Sequence, residues 1–170
     1  TICNLPLILG EGVDWYKAQG HEVDTGTFLM SISGHVVKPG NYEVVHGITW
    51  RELIYDVAGG IRDGNELKAW VPGGASAPWF VPAEHLDLEI TKDVTGAHGS
   101  MLGSGAVIVM DHTTDMVAAA ERLVRFYAEE SCGQCTPCRE GTTWLDLILQ
   151  RVLNGAGRPA DVDLLLDVSD

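Results

Sequence analysis

Three cysteines in the stretch ESCGQCTPCREGT, Cys132, Cys135 and Cys138, stand three residues apart. A Cys-x2-Cys-x2-Cys run lets three sulfurs converge on one object within a single loop. Gly133 permits a tight turn inside the run, and Pro137 stiffens its exit. Thiols packed this closely point to a metal instead of crosslinks across a fold. The spacing suits a cubane iron–sulfur cluster, in which each cysteine takes one iron corner and a fourth ligand comes from elsewhere. The ferredoxin-type continuation is absent, because Arg139, Glu140, Gly141 and Thr142 follow Cys138. Two readings compete with the cluster. Structural zinc wants four ligands, usually as two separated pairs, and His98 and His112 show no paired spacing. The thiols could also be free or redox-active. Arg139, next to the last cysteine, either raises a cluster's potential electrostatically or simply pairs with Glu140, Glu130 or Glu129. Gln134 and Thr136 could donate hydrogen bonds to sulfur, as polar residues of any loop could.

The rest of the chain narrows the setting. Its formal charge of −13 excludes a nucleic-acid surface built of clustered Lys and Arg and suits docking to other proteins. With 45% hydrophobic and 21% charged residues, the 170-residue chain has the make-up of a globular protein of one or two domains. No apolar run reaches the ~20 residues of a membrane span. The run LPLIL is too short and lacks a basic leader, so it is not read as a signal peptide. Reduced thiols favour a cytoplasmic compartment. The abrupt apolar start TICNLPLIL, without Met, and the equally abrupt end read as the edges of a segment of a larger protein. Cys3, the remaining cysteine, reads as a buried small hydrophobe.

Local patterns predict three regions. Ile2, Leu5, Leu9 and Val13 fall at roughly helical spacing, with a break at Gly10–Gly12 before Trp15–Gln19. Residues 27–111 read as a compact α+β unit. TFLMSISG is a strand, HVVKPGNYEVV a hairpin about a Lys-Pro-Gly-Asn turn, and LKAWVPGG a strand running into a turn. Between them, Ile48, Leu53, Ile54 and Val57 mark one face of a helix that Thr49 caps and Gly59-Gly60 ends. Ala106–Asp111 is a buried strand. The glycines at 99, 103 and 105 precede that strand and do not open a helix, so a loop needing positive φ is favoured over a phosphate cradle. Residues 112–170 read as helical. Thr114 is the expected cap of a first helix with Asp115 in its first turn. Val117, Ala120, Leu123, Val124 and Tyr127 form the apolar stripe, and Glu121, Arg122, Arg125 and Glu129 the wet face. A second helix is expected over about 140–153, with Trp144, Leu147, Ile148 and Val152 inward and Gly155 and Pro159 stopping it. A third follows Pro159.

ESCGQCTPCREGT, preceded by GSGAVIVMD and RFYAEE, closely resembles the flavin-carrying, NADH-oxidising subunit of respiratory complex I. TICNLPLIL resembles the segment following that subunit's flavin-binding domain. SISGHVVKPGNYEV, RELIYDVAGG and VPGG resemble its soluble-ligand-binding β-grasp insert. The resemblance runs along the whole chain. It implies a helical tail of the flavin domain over 1–26, a β-grasp domain with return strand over 27–111, and a truncated helical iron–sulfur domain over 112–170. It implies that Cys132, Cys135 and Cys138 bind a [4Fe–4S] cluster, with a fourth cysteine a few tens of residues beyond Asp170. It also implies that FMN and NAD(H) sites lie before Thr1, so no catalytic residue is expected in this chain. The implied partners are other subunits of an NADH-oxidising module, including an iron–sulfur neighbour. The implied location is cytoplasmic, peripheral on the inner face of an energy-transducing membrane. The matching diaphorase subunit of an NAD-linked hydrogenase or formate dehydrogenase shares the cysteine pattern. A zinc-stabilised β-grasp ligand-binding module is the reading from another class.

Overall fold

A computed structural model describes residues 2–169 and divides the chain into two compact units, Thr1–Thr113 and Thr114–Asp170. The first opens with two short helices, α1 (Asn4–Glu11) and α2 (Val13–Lys17), separated at Gly12, within the expected break. Leu5, Leu7, Leu9, Val13 and Trp15 on them are exposed, as is Cys3, which corrects the expectation of a buried thiol.

Four strands follow: β1 (Thr27–Gly34), β2 (Gly40–Val45), β3 (Leu67–Val71) and β4 (Ala106–Asp111). They form one sheet in the order β2-β1-β4-β3. β1 pairs antiparallel with β2 and parallel with β4, and β3 closes the far edge antiparallel to β4. The hairpin expected within 35–45 has a different first arm. TFLMSISG pairs with GNYEVV, whereas Val36 leaves the sheet to bridge Ile61. In this register Val44 stands opposite Phe28, and Met30, Ile32 and Val44 are buried together in the core.

One face of the sheet is covered by the segment running from Thr49 to Gly60. Its start is a reciprocal cap: Glu52 Oε2 accepts from Thr49 N at 2.7 Å, and Glu52 N donates to Thr49 Oγ1 at 3.2 Å. Trp50, Leu53 and Ile54 are fully buried, with Ile48 and Val57 packed against the same core. The turn is wider than an α-helix over Glu52–Val57; Ala58 N bonds back five residues to Leu53 O at 3.0 Å. Trp50, Trp70 and Phe80 form a triad of rings with centroids 5.7–6.0 Å apart. Two further short helices, α3 (Pro82–His85) and α4 (Lys92–Ala97), lead into the glycine loop before β4. Gly103 holds φ +47°, and a Cβ there would run into the Gly73 carbonyl oxygen. The close approach of two backbones accounts for this glycine, as expected for a positive-φ loop.

At the end of β4 the buried carboxylate of Asp111 is fully engaged. It accepts from Thr113 Oγ1 at 2.6 Å and Asn65 Nδ2 at 2.8 Å, and lies 2.7 Å from His35 Nδ1.

Among the described residues the second unit has three helices: α5 (Met116–Glu129), α6 (Thr136–Leu153) and α7 (Ala160–Ser169). Asp115, not Thr114, is the side-chain cap of α5, its Oδ1 accepting from Val117 N and Ala118 N. Glu121 departs from the expected wet face. It is only 6% exposed and pairs with Arg125 one turn on. α6 starts at Thr136, four residues before the expected boundary, so its first turn includes Cys138. Ile148 and Leu149 are its buried residues, while Trp144 and Leu147 are 54% and 56% exposed and not inward. Gly155 and Pro159 separate α6 from α7, as expected.

The α6–α7 corner is tied by Asp161. Its carboxylate receives Arg151 Nε at 3.0 Å and Nη2 at 2.5 Å, and the Arg158 backbone N at 2.8 Å. Arg151 first, then the Arg158 amide, hold its carboxyl well below the usual carboxylate range against the opposing effect of burial. Among the described residues no helix is long and apolar enough to cross a membrane.

Candidate metal centre

α5 ends where Glu130 N reaches Phe126 O, and the chain turns through residues 130–135 before α6 begins. Cys132 lies in that turn, Cys135 at the position preceding the first helical residue, and Cys138 in the first turn of α6 with Pro137 beside it. The three thus occupy a loop and the positive end of a helix dipole, where backbone N–H groups favour negative charge. Gly133 takes φ +77°, and a Cβ there would make only ordinary contact with the Arg139 side chain at 3.9 Å, so it is the backbone conformation of the turn that calls for glycine.

Hydrogen bonds from side chains lace this loop. Arg139 reaches back, its Nη1 donating to Gly133 O at 2.6 Å and its Nη2 to Thr136 Oγ1 at 3.5 Å. Its Nε donates to Glu140 Oε1 at 2.9 Å, one of the three acidic partners weighed for it in the sequence. Arg139 N donates to Cys135 O at 2.9 Å. Thr142 Oγ1 caps the Cys138 carbonyl at 2.6 Å, and Thr143 Oγ1 that of Arg139 at 2.9 Å. Ser131 sits at the centre. Its Oγ accepts from Gly133 N at 3.3 Å and lies 3.5 Å from Cys138 Sγ.

Cys132, Cys135 and Cys138 are all exposed and free of disulfides. Among the described residues no three His, Cys, Asp or Glu side chains are gathered into a metal-holding group, so the thiols share a loop without converging. The donor set itself fits an iron–sulfur group. It comprises soft sulfur ligands on one short segment, none locked in an apolar pocket. His98 and His112, weighed as zinc ligands, are engaged locally: His98 Nδ1 lies 2.9 Å from Val94 O, and His112 Nδ1 accepts from Glu66 N at 3.4 Å. The role of Ser131 was not read from the sequence. The available signal was a hydroxyl residue two before a turn glycine, a local side-chain-to-backbone pattern.

The chain is similar to known proteins along its whole length. Residues 118–170 match the NADH-ubiquinone oxidoreductase-F iron-sulfur binding region, and residues 29–109 match the SLBB domain. The whole chain is 51% identical over 170 residues to the F subunit of NADH-quinone oxidoreductase from Mycobacterium tuberculosis (strain ATCC 25618 / H37Rv), covering 38% of that protein. It is 48% identical to the corresponding protein of Streptomyces coelicolor, of which it covers 37%. The chain therefore spans under two-fifths of the length of these relatives. Among solved structures, an NAD+-reducing [NiFe]-hydrogenase superposes with TM-score 0.82 at 28% identity, over 95% of this chain and 27% of that one.

Proposed function

From a chain homologous along its whole length to part of the F subunit of NADH-quinone oxidoreductase, we infer an electron-transfer segment whose cysteine loop cradles a [4Fe–4S] cluster. One observation carries this reading: the match to the iron–sulfur binding region encloses three free, exposed thiols on a single loop. Cys132, Cys135 and Cys138 each supply one thiolate, and the fourth corner takes a ligand beyond these three. Such a cluster, when bound, takes up and gives back one electron at a time. The chain's own contribution is to present three sulfurs from a turn held by Arg139 and Ser131, at the positive end of α6.

In the longer protein this segment accepts electrons from NADH-reduced FMN bound elsewhere and passes them to an iron–sulfur neighbour subunit. The assembly is peripheral on the inner, cytoplasmic face of an energy-transducing membrane. The first unit is read as a β-grasp spacer, supported by the SLBB match and by a mixed four-stranded sheet with a helical segment on one face. A diaphorase subunit of an NAD-linked hydrogenase is the second reading, favoured by the superposition at 28% identity. The 51% identity to the quinone-linked relative places it behind the first.

The test is Cys135→Ser in the full-length protein. Iron and acid-labile sulfide are expected to fall while bound flavin stays, because no flavin contact is assigned to this loop. Unchanged iron in that variant refutes the ligand assignment.

A further inference from the structure

We propose that Ser131 is a positioning residue whose hydroxyl donates a hydrogen bond to the Cys138 sulfur and thereby raises the reduction potential of the cluster. The proposal rests on the reading of Cys138 as a ligand. Its geometry is independent of that reading. Ser131 Oγ lies 3.5 Å from Cys138 Sγ, and Gly133 N donates to the same oxygen at 3.3 Å. A hydroxyl has one hydrogen to give and two lone pairs to receive. With Gly133 N–H occupying a lone pair, the Ser131 hydrogen is left for sulfur. In a free thiol either atom could be the donor. A ligating thiolate has no hydrogen, so ligation fixes the direction from Ser131 to Cys138.

The other polar groups of the loop are placed differently. Thr136 Oγ1 receives Arg139 Nη2, while Arg139 Nη1 donates to Gly133 O and its Nε to Glu140. Gly133 supplies both ends of the arrangement: its positive φ turns its N–H toward Ser131 while its carbonyl faces Arg139.

The consequence for electron transfer has a definite sign. Reduction adds one electron and no proton, so negative charge on the sulfurs grows. A hydrogen bond to a ligand sulfur stabilises the more negative state and raises the potential. Removing the hydroxyl therefore makes the cluster harder to reduce. The expected effect is about a tenfold fall in the reduced-to-oxidised ratio at a fixed poise, equivalent to about 59 mV for a one-electron couple.

Three full-length proteins decide it: wild type, Ser131→Ala and Ser131→Thr. Each is analysed for iron and labile sulfide, titrated with dithionite under electron paramagnetic resonance, and examined by electron–nuclear double resonance for a proton exchangeable in deuterium oxide. The expected result is full iron in all three, a lower midpoint and a lost exchangeable proton in Ser131→Ala, and near wild-type behaviour in Ser131→Thr. A Ser131→Ala protein with full iron and the wild-type midpoint overturns the proposal. One that holds no iron also overturns it, because the hydroxyl would then support the loop's shape instead of tuning potential. A wild-type protein without iron, or Cys135→Ser that keeps it, fails the underlying ligand reading instead.

Discussion

Replacing Phe80 by alanine opens the centre of the first unit. Phe80 is fully buried, with its ring edge-on to Trp50 and Trp70 and stacked on His85 at 4.2 Å. Its backbone is bonded both ways to Trp70, N to O at 2.9 Å and 3.0 Å. The substitution spares that backbone bridge and removes only the ring, so its cost is lost transfer energy plus a cavity. For a buried Phe→Ala change this is about 3–5 kcal/mol. Where in the range it falls depends on how far the fully buried Trp50 and Trp70 rings close over the space. Native-state hydrogen exchange reads this directly at the Trp70 and Phe80 amides, which open only when the unit does. At 1.4 kcal/mol per tenfold, their protection is expected to fall by roughly two to three and a half powers of ten. The amides of Ile148 and Leu149, in the second unit, are expected to change far less. A drop below tenfold at Trp70 and Phe80 would refute the claim that the aromatic triad holds this unit together.

Three further outcomes follow from the same geometry. Gly103→Ala puts a Cβ against the Gly73 carbonyl in a left-handed conformation; it is expected to cost more than the ~1–2 kcal/mol of the conformation alone, measured by urea denaturation. The Asp111 carboxyl is held well below its ordinary range, first by Thr113, then by Asn65 and His35, so its stabilisation is present above the unfolded value of about 3.9 and is lost as pH falls below it. Denaturation of the first unit from pH 6 to pH 2 should show that loss, and Asp111→Asn should flatten the slope; a variant slope equal to wild type would contradict it. Arg139→Gln should loosen the turn by freeing the Gly133 carbonyl, seen as faster amide exchange across residues 131–135 with the interior of α6 unchanged.

The parts of this fold that rest on local pattern were legible in advance. β1, β3 and β4 are apolar, β-prone runs bounded by turn residues, and Gly12, Gly155 and Pro159 interrupt helices wherever they stand. The helical face of Ile48, Leu53, Ile54 and Val57 was also readable, but not the wide turn from Glu52 to Val57, which has no signature in residue type. The parallel pairing of β1 with β4 joins residues more than seventy apart, beyond the reach of local pattern. Thr114 and Asp115 are both good caps, and only the backbone decides between them. Glu121 lies on the charged side of a helical wheel yet is buried, because Arg125 neutralises it one turn away. Trp144 and Leu147 misled in the opposite direction: apolar character suggested the core, and both are exposed. At the candidate centre, cysteine spacing could be read from the sequence, whereas Glu140 was one of three acidic partners open to Arg139 and only the structure selects it. The Ser131 contact required knowing that α6 begins before Cys138 and turns its sulfur back toward the loop.

Whether the cysteine loop holds a cluster is decided by metal and sulfide analysis of the full-length protein, combined with Mössbauer spectroscopy after iron-57 enrichment. A four-iron cubane signal is expected, and it should disappear in Cys132→Ser, Cys135→Ser and Cys138→Ser alike. Stoichiometric zinc with no iron, or a cubane signal indifferent to all three substitutions, would contradict the cluster assignment.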